Sequence, residues 1–329
     1  MICAETLNNV TNENVYKALL KASEILGKHN KVYVSISGGA DSDIMTDIIE
    51  QCKAPNNEIH YLFIQTGIEY RATLEHLVDL EKRYGIEIER IRPKTPIPLA
   101  VKKYGVPFLS KHVSEMVKRA QKHNFKWEDG TWEELNAKYP NLFQAIKWWS
   151  ATEKYKFSIR ENKYLKEFML ANPPDFPISS WCCNASKKQP LHKIEAMGDL
   201  ACVGIRNAEG GVRAKIKSCY NPESDVAKFF PVFWLTKADK EYYEQHFGIT
   251  HSRCYTEYGL KRTGCVGCPF NIHYKEEMKV VEAYEPNAVK ACKNVFGRSY
   301  EYTERYREFR RKMETQDRIE KTRQMEIDL

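Results

Sequence analysis

Six consecutive residues, Ser37-Gly38-Gly39-Ala40-Asp41-Ser42, combine the groups that proteins use to hold phosphate. Glycines let the backbone approach an anion closely, and the first N–H groups of a helix point at it. The serines add hydroxyl donors, and Asp41 could hold Mg²⁺ or cap the helix. No Gly-Lys-Ser/Thr follows and the three-glycine spacing is missing, which excludes a kinase-type P-loop and a dinucleotide fingerprint. A tight turn with a capped helix is the alternative.

Four of the ten cysteines form two close pairs, Cys182–Cys183 and Cys265–Cys268, with 81 residues between the pairs. Disulfides are uncommon in reducing compartments, so paired thiolates favour a metal centre. Zinc prefers four sulfur ligands in a tetrahedron, and iron–sulfur clusters take one cysteine per iron. Adjacent side chains diverge, so Cys182 and Cys183 fit two corners of a cubane more easily than one zinc ion. A redox pair or buried thiols remain the alternative.

Alternating strand and helix signals surround the glycine-containing loop. Strands separated by helices of about a dozen residues predict right-handed crossovers and a parallel sheet. The loop then lies at the carboxyl end of the first strand, where open α/β sheets bind ligands. The predicted strands are "KVYVSIS", "EIHYLFIQT" and "IEIERIRP", with helices at Ala40 to Cys52 and Tyr70 to Tyr84.

The remaining sequence is mainly helical, with sheet signals again at "LACVGIR" and "FFPVFWLT". Further helices are predicted near Ser110 to Lys122, at Lys237 to His246 and from about Tyr274 onward. We expect four segments: 1–123, the first part of a nucleotide-binding core; 124–178, a helical insertion; 179–273, the second part of the core with the cysteines; and 274–329, a helical C-terminal extension.

The Ser-Gly-Gly-x-Asp-Ser segment resembles the loop of the PP-loop superfamily, which includes ATP pyrophosphatases and phosphoadenylyl-sulfate (PAPS) reductases. Ala40 stands where Lys is frequent. Thr66-Gly67-Ile68-Glu69 resembles the Asp-Thr-Gly…Glu stretch of the same family, with Gln65 in the Asp position. The resemblance implies an α/β fold of the adenine nucleotide alpha hydrolase type, a parallel sheet flanked by helices.

The cysteine pattern resembles the Cys-Cys…Cys-x-x-Cys signature that binds [4Fe-4S] in adenylyl-sulfate (APS) reductases. Lys187 and Pro190 match the family's Cys…Lys-x-x-Pro spacing, and "GIRNAEGGVR" resembles its Gly-x-Arg…Glu-Ser…Arg segment, with Gly210 where Ser is usual. The resemblance implies metal ligation by Cys182, Cys183, Cys265 and Cys268, and catalytic roles for Asp41, Ser42, Arg206 and Arg213. It implies nucleotide binding by Ser37, Gly38, Gly39, Ala40, Asp41, Ser42, Thr66, Gly67, Glu69, Lys187, Arg206, Glu209 and Arg213.

Sulfonucleotide reductases attack sulfate with a cysteine near the C-terminus, whereas this sequence ends in "KTRQMEIDL". The favoured hypothesis is therefore ATP-dependent adenylation of an acceptor, with pyrophosphate release, for sulfur transfer to nucleic acid, as in DNA phosphorothioation or tRNA thiolation. A PAPS or APS reductase that uses a partner's thiol is one alternative, and a non-catalytic nucleotide or redox sensor in a defence complex is another. The implied cofactors are a [4Fe-4S] cluster or zinc, ATP or another adenine nucleotide, and Mg²⁺. A cysteine desulfurase or other subunits of a modification complex are the expected protein partners.

Composition agrees with a polyanionic partner without requiring one. Lys and Arg number 51 against 44 Asp and Glu, a formal charge of +7, which is modest for a nucleic-acid clamp. The N-terminus lacks the pattern of a signal peptide and no apolar run suits a membrane helix, so a cytoplasmic protein is expected. Basic residues interleave with aromatic ones in the predicted insertion, as in a stacking surface for nucleic acid, although a small aromatic core is the alternative. These aromatic residues are Trp127, Trp132, Trp148, Trp149, Tyr155 and Phe157.

Overall fold

The computed structural model describes residues 4–151, 157–210 and 213–327. The chain divides into two compact units, each built from three stretches of sequence. Unit 1 comprises Met1–Pro96, Ala185–Val266 and Glu277–Val289, and unit 2 comprises Ile97–Asn184, Gly267–Glu276 and Lys290–Leu329. The four-segment division expected from the sequence stays a prediction.

The described residues contain six strands and fifteen α-helices. The strands are β1 Lys31–Ile36, β2 Glu58–Ile64, β3 Ile88–Ile91, β4 Leu200–Val203, β5 Tyr220–Asn221 and β6 Ala227–Phe229. The helices are α1 Ala4–Asn8, α2 Glu13–Leu26, α3 Ala40–Cys52, α4 Arg71–Tyr84, α5 Ile97–Tyr104, α6 Lys111–Lys122, α7 Trp132–Lys138, α8 Phe143–Trp149, α9 Leu165–Ala171, α10 Trp181–Cys183, α11 Gln189–Glu195, α12 Lys237–Phe247, α13 Arg253–Thr256, α14 Tyr274–Tyr284 and α15 Pro286–Ile327. The described residues also form four 3₁₀ turns, Pro140–Leu142, Ile159–Glu161, Asn207–Glu209 and Arg213–Lys215, and one π-helical turn, Asn184–Lys188.

Unit 1 is built on one six-stranded sheet with the order β3-β2-β1-β4-β6-β5. All neighbouring strands are parallel except β5 and β6, which are antiparallel. β1 is central: Ser35 pairs with Leu62 of β2 on one side and with Val203 of β4 on the other. Because the chain leaves β1 toward β2 and β3 and returns to β4 on the opposite side, the carboxyl ends of β1 and β4 form a topological switch point. The α/β fold with a mainly parallel sheet is thus confirmed.

Helix α3 has the bounds that the sequence predicts, but it is buried on its polar side as well as on its apolar one. Ile44, Ile48 and Ile49 are fully buried, as expected for the side that faces the sheet. Asp43 and Asp47 are also buried, with 0% and 5% of their surface exposed. Buried carboxylates require partners; Asp47 accepts hydrogen bonds from the hydroxyls of Tyr243 and Tyr84 at 2.7 and 2.9 Å.

The prediction of a strand through "FFPVFWLT" is wrong beyond its first residue. β6 ends at Phe229, and Pro231 follows, which has no N–H to donate to a sheet ladder. The chain turns instead, with hydrogen bonds from Phe233 N to Phe230 O and from Leu235 N to Val232 O, both at 3.1 Å. Val232 and Leu235 are fully buried. The apolar residues that suggested a strand therefore belong to the core, but they lie in turns.

Unit 2 is helical, and many of its aromatic side chains are buried in its interior. Trp148 and Trp149 are each 1% exposed, and the indole N–H of Trp149 donates to the Glu128 carbonyl at 2.9 Å. The hypothesis that these two tryptophans form a stacking surface is therefore wrong, because their faces pack in the protein. Trp127 and Trp132 are half-buried, and Phe157 is exposed. Tyr155 lies outside the described residues.

Helix α15 spans 42 residues and combines a packed first half with an exposed second half. Phe296, Tyr302 and Tyr306 are buried, and the hydroxyl of Tyr302 donates to the Asn172 carbonyl at 2.7 Å. From residue 318 onward nearly every described position is exposed, and the mixed charges there suit a solvated helix. No described helix combines the length and apolar character that crossing a membrane would require.

Candidate functional site

The glycine-containing loop joins β1 to α3 at the switch point of the sheet in unit 1. Gly38 has φ +67°, and a Cβ atom there would lie 2.5 Å from Cγ2 of Thr73. Gly39 is the N-cap residue of α3, and it carries no side chain that could bond to the first helical N–H groups. The backbone therefore requires a glycine at position 38, and at position 39 no N-cap side chain competes with an anion for the first helical N–H groups.

Ser42 stabilises this loop from within. Its hydroxyl donates to the Gly39 carbonyl at 2.7 Å and accepts from Gly39 N and Ser37 N at 3.1 and 3.3 Å. The Ser37 hydroxyl lies 3.2 Å from that of Ser42. Ser42 is 3% exposed, so its hydroxyl shapes the loop, whereas the Ser37 side chain is the more accessible of the two.

Asp41, on the first turn of α3, is held between two cations. Its Oδ1 accepts from Nε of Arg206 at 3.0 Å and from Nζ of Lys240 at 2.6 Å. The side chains of Arg206 and Lys240 are only 16% and 15% exposed, so water screens the cluster weakly. Gly204 lets the backbone after β4 lie close to the backbone of Asp41, because a Cβ atom at Gly204 would be only 3.3 Å from the Asp41 carbonyl group. The result is a compact cluster of one carboxylate and two cations at the start of the helix.

Arg213 is placed differently from Arg206. Its guanidinium pairs with Glu209, and the other oxygen of Glu209 accepts from the backbone N–H of Arg206 at 3.4 Å. Asn207 fixes the same segment, with its N–H bonded to the Phe233 carbonyl at 3.0 Å. Arg206 therefore contacts Asp41, whereas Arg213 pairs with Glu209 and both stay within the segment that follows β4.

The segment after β2 is organised by Glu69. One oxygen of its carboxylate accepts from the backbone N–H of Thr66 at 2.6 Å and from the Thr66 hydroxyl, and the other accepts from Gly67 N at 2.9 Å. Gly67 has φ +89°, a conformation that favours glycine. Thr66, Gly67 and Glu69 thus form a local turn at the same carboxyl edge of the sheet.

Tyr255 and Thr263 cover the glycine-containing loop. The Tyr255 hydroxyl accepts from Ala40 N at 3.3 Å and from Thr263 N at 3.2 Å, and the Thr263 hydroxyl donates to the Gly38 carbonyl at 3.3 Å. Burial raises the pKa of Tyr255, so its hydroxyl stays protonated. The N–H of Ala40, which could otherwise donate to an anion, therefore donates to a phenol oxygen, at the long distance of 3.3 Å.

A chain of buried charged groups lies directly behind the loop. Asp43 Oδ2 bonds to Nδ1 of His251 at 2.7 Å, and Asp43 Oδ1 lies 3.0 Å from Nε2 of His76 in an orientation that makes no hydrogen bond. Nε2 of His251 is 3.0 Å from Glu244 Oε1, which is itself 4.0 Å from Lys240 Nζ. Burial lowers the pKa of His251, but Asp43 and Glu244 outweigh it and raise that pKa to about 9.

The four paired cysteines are thiols, and they are divided between the two units. Cys182 and Cys183 form α10 in unit 2, Cys268 also belongs to unit 2, and Cys265 is next to the last residue of the middle stretch of unit 1. Cys182 is 3% exposed and the other three are half-buried. Within the described residues, no three His, Cys, Asp or Glu side chains are close enough together to hold a metal ion. Lys187, the remaining predicted residue, lies half-buried in the π-helical turn.

Several residues at the site carry no signal in the sequence. Lys240 is one of several charged residues of an ordinary helix, and Tyr255 and Thr263 belong to no recognisable motif. Asp43 occupies a helix position that the sequence alone would assign to solvent. Only the packing of α12 and α13 against α3 makes them part of the site.

Comparisons with known proteins place these observations in a family. An uncharacterized protein of Methanocaldococcus jannaschii is 30% identical over 223 residues, 65% of this chain and 42% of that protein. The chain thus spans about two fifths of the length of this curated relative.

Solved structures with similar folds include the PAPS reductase of Candida auris in its phosphate complex (13% identity, 80% of this chain, 96% of that chain, TM-score 0.38). They also include the U34-tRNA thiolase of Methanococcus maripaludis with its [4Fe-4S] cluster (13%, 94% and 81%, 0.38) and the NH₃-dependent NAD synthetase of Campylobacter jejuni (12%, 88% and 95%, 0.37). Likenesses at this level do not identify a function. Residues 31–271, well over half of the chain, match the phosphoadenosine phosphosulfate reductase domain, and the chain belongs to that family.

Proposed function

We propose that the chain binds ATP–Mg²⁺ at the glycine-containing loop and transfers the adenylyl group to an acceptor, as the activating step of a sulfur transfer to nucleic acid. The observation that carries the proposal is the cluster at the start of α3: backbone N–H donors, Asp41, Arg206 and Lys240 together at the switch point. Polyphosphate needs this combination of backbone donors, cations and a carboxylate for the metal.

In this mechanism an acceptor oxygen attacks the α-phosphorus of ATP, the bond to the β-phosphate oxygen breaks, and pyrophosphate leaves. The loop amides bind the departing phosphates, and Arg206 and Lys240 balance the negative charge that develops on them. Mg²⁺ is commonly held by one or two carboxylates and the substrate phosphates, so the single carboxylate of Asp41 fits this role. Sulfide from a donor then attacks the acceptor atom that carries the adenylylated oxygen, the bond from that atom to the oxygen breaks, and AMP leaves.

Cys182, Cys183, Cys265 and Cys268 match an iron–sulfur cluster in ligand type and number, since four thiolates are its usual ligands, although no three His, Cys, Asp or Glu side chains of the described residues lie close enough together to hold a metal ion. When bound, a [4Fe-4S] cluster would supply iron that can carry electrons or hold sulfur; zinc on the same thiolates would be structural. The cysteines themselves would hold the group, and Gly267 lets their segment pack closely. A Cβ at Gly267 would lie 2.6 Å from the Tyr300 hydroxyl and 2.7 Å from Sγ of Cys292.

The family match favours a second candidate, reduction of PAPS or APS. In that reaction a thiolate attacks the sulfate sulfur, the nucleotide leaves, and a second thiol releases sulfite. Cys292 is a poor nucleophile for it, because it is fully buried in α15 and burial raises its pKa. We therefore place this candidate second and assign its thiol to a partner protein. A nucleotide sensor without chemistry is the remaining possibility.

An anaerobic comparison of ATP–Mg²⁺, APS and PAPS tests the assignment, with thermal stabilisation reporting binding. Pyrophosphate release in the presence of mixed tRNA and DNA as acceptors, or sulfite release in the presence of added thiol, reports turnover. We expect stabilisation and pyrophosphate release with ATP–Mg²⁺, and loss of both in Asp41→Asn. Asp79→Asn, an exposed position on α4, is the control and keeps both. Sulfite release from APS or PAPS would instead establish the reductase, and nucleotide binding without either product would establish the sensor.

A further inference from the structure

Helix α6 of unit 2 presents a basic outer face that the proposed nucleotide site does not use. Its inner face is buried through Val113, Met116, Val117 and Ala120. Residues 111–126 contain five Lys or Arg and a single acidic residue, Glu115. The net charge of this one segment is thus more than half of the +7 carried by all 329 residues, which marks a concentrated positive surface.

A groove of about 380 Å³ runs along one side of α6. Lys118, Arg119, Lys122 and His123 line it together with residues 141–145. Glu115 lines it too, with its carboxylate 3.1 Å from Nε of Arg119 and 3.7 Å from Nζ of Lys118, so the cations outnumber the one carboxylate. Phe143 is 46% exposed there, and Nζ of Lys147 lies 5.9 Å from its ring centre. This side therefore offers an accessible aromatic ring beside several cations.

A second groove, of about 490 Å³, lies between α6 and the segment Pro174–Ile178. Gln121 holds that segment in place: its amide donates to the Phe176 carbonyl at 2.7 Å, and its oxygen accepts from Ile178 N at 2.9 Å. Lys118 and Lys122 line this groove too. Nζ of Lys118 also lies 4.3 Å from the ring centre of Trp181, the residue directly before Cys182.

We propose that this surface, the outer face of α6 with its two flanking grooves, binds single-stranded nucleic acid. The inference rests on the proposed function only in that it names the class of acceptor. Cations spaced along one helix suit a phosphate backbone, and the exposed ring of Phe143 beside the first groove suits stacking of a base that has left the base stack. A duplex could not place its paired bases in such grooves, and an acidic peptide has no flat groups that would use the exposed Phe143.

The test measures binding of the full chain, without ATP, to a fluorescein-labelled single-stranded 20-mer of mixed sequence, as RNA and as DNA. The variant is Lys118→Gln/Arg119→Gln/Lys122→Gln, and Lys17→Gln/Lys21→Gln/Lys28→Gln is the control with the same charge change on and next to α2. For single-stranded nucleic acid, each phosphate contact that is removed makes the slope of log K against log salt concentration less steep by about 0.7. The α6 variant, which loses three cations, should therefore have a slope less steep by about 2 and bind up to about 100-fold more weakly at 0.1 M salt.

A further variant, Phe143→Leu, keeps an apolar side chain but removes the ring, and we expect it to weaken binding by about fivefold or more without changing the salt slope. Equal binding by the α6 variant and the α2 control would overturn the proposal. So would tighter binding of duplex than of single strand, or displacement of the oligonucleotide by poly-glutamate at equal charge. Because ATP is absent from this assay, failure here leaves the thermal stabilisation by ATP–Mg²⁺ intact, and failure of adenylation leaves oligonucleotide binding intact.

Discussion

Replacement of Asp43 by Asn should remove a pH-dependent part of the stability of unit 1. Asp43 is fully buried, and its carboxylate bonds to His251, whose pKa rises from an ordinary 6.5 to about 9 despite burial, through Asp43 and Glu244. A shift of this size corresponds to about 3 kcal/mol. Since the His251 side chain is 14% exposed, water screens the pair only slightly, and about 2 to 3 kcal/mol is the expected contribution.

The sign follows from the direction of the shift. The folded protein keeps His251 protonated when the unfolded chain has lost the proton, so the contribution is complete below pH 6.5 and is lost as the pH rises through about 9. Wild-type stability should therefore fall by about 1.4 kcal/mol per pH unit across this interval from His251 alone. Asp43→Asn should be less stable at pH 6.5, and the difference from wild type should narrow toward pH 9.5.

Urea unfolding of both proteins at half-unit steps from pH 6 to pH 10 measures the effect, because the difference between the two curves cancels groups that titrate in both. His251→Gln should show the same narrowing, and the double variant should add little to it, as expected for residues that share one interaction. The exposed control Asp79→Asn should run parallel to the wild type. A constant difference between Asp43→Asn and wild type at all pH values would refute the reasoning.

Three further predictions concern single side chains. Gly38→Ala should lose more stability than Gly259→Ala, because both have similar positive φ but only the first would place its Cβ against a neighbour, Thr73; chemical denaturation measures the gap, and equal losses would contradict the clash. Tyr255→Phe should lower the stability of the ligand-free protein by about 1 kcal/mol and enlarge the thermal shift with ATP–Mg²⁺, since it frees a helix N–H for phosphate; an unchanged shift would argue against that role. Trp149→Leu, in the core of unit 2, should cost about 2 to 4 kcal/mol on urea unfolding, whereas a loss below 1 kcal/mol would contradict its burial.

Much of the fold can be predicted from local sequence because local physics determines it. Alternating apolar residues and a glycine pair set the bounds of β1 and the start of α3, and the helix ends at Cys52 as expected. Ser110 caps α6 by accepting from Val113 N at 3.1 Å, a contact between residues three apart that the sequence alone makes probable. The parallel order of the first three strands follows from the length of the helices between them.

The candidate site was only partly predictable, since its loop is local but its partners are distant. Arg206 reaches Asp41 across 165 residues and His251 reaches Asp43 across 208, and no periodicity encodes such contacts. Packing also decided between the two interpretations of Trp148 and Trp149, a stacking surface or an aromatic core, because their residue type suits stacking equally well inside or outside a protein.

The sequence by itself determined the glycine-containing loop, the cysteine pairs and the strand-helix alternation, because each depends on neighbours within a few residues. Tertiary structure alone decided which cations approach Asp41, which hydroxyls cover the loop and which aromatic residues are buried. Those choices depend on how α12, α13 and α3 pack in unit 1 and on how the helices of unit 2 enclose their rings, and they are made by contacts between residues far apart in the chain.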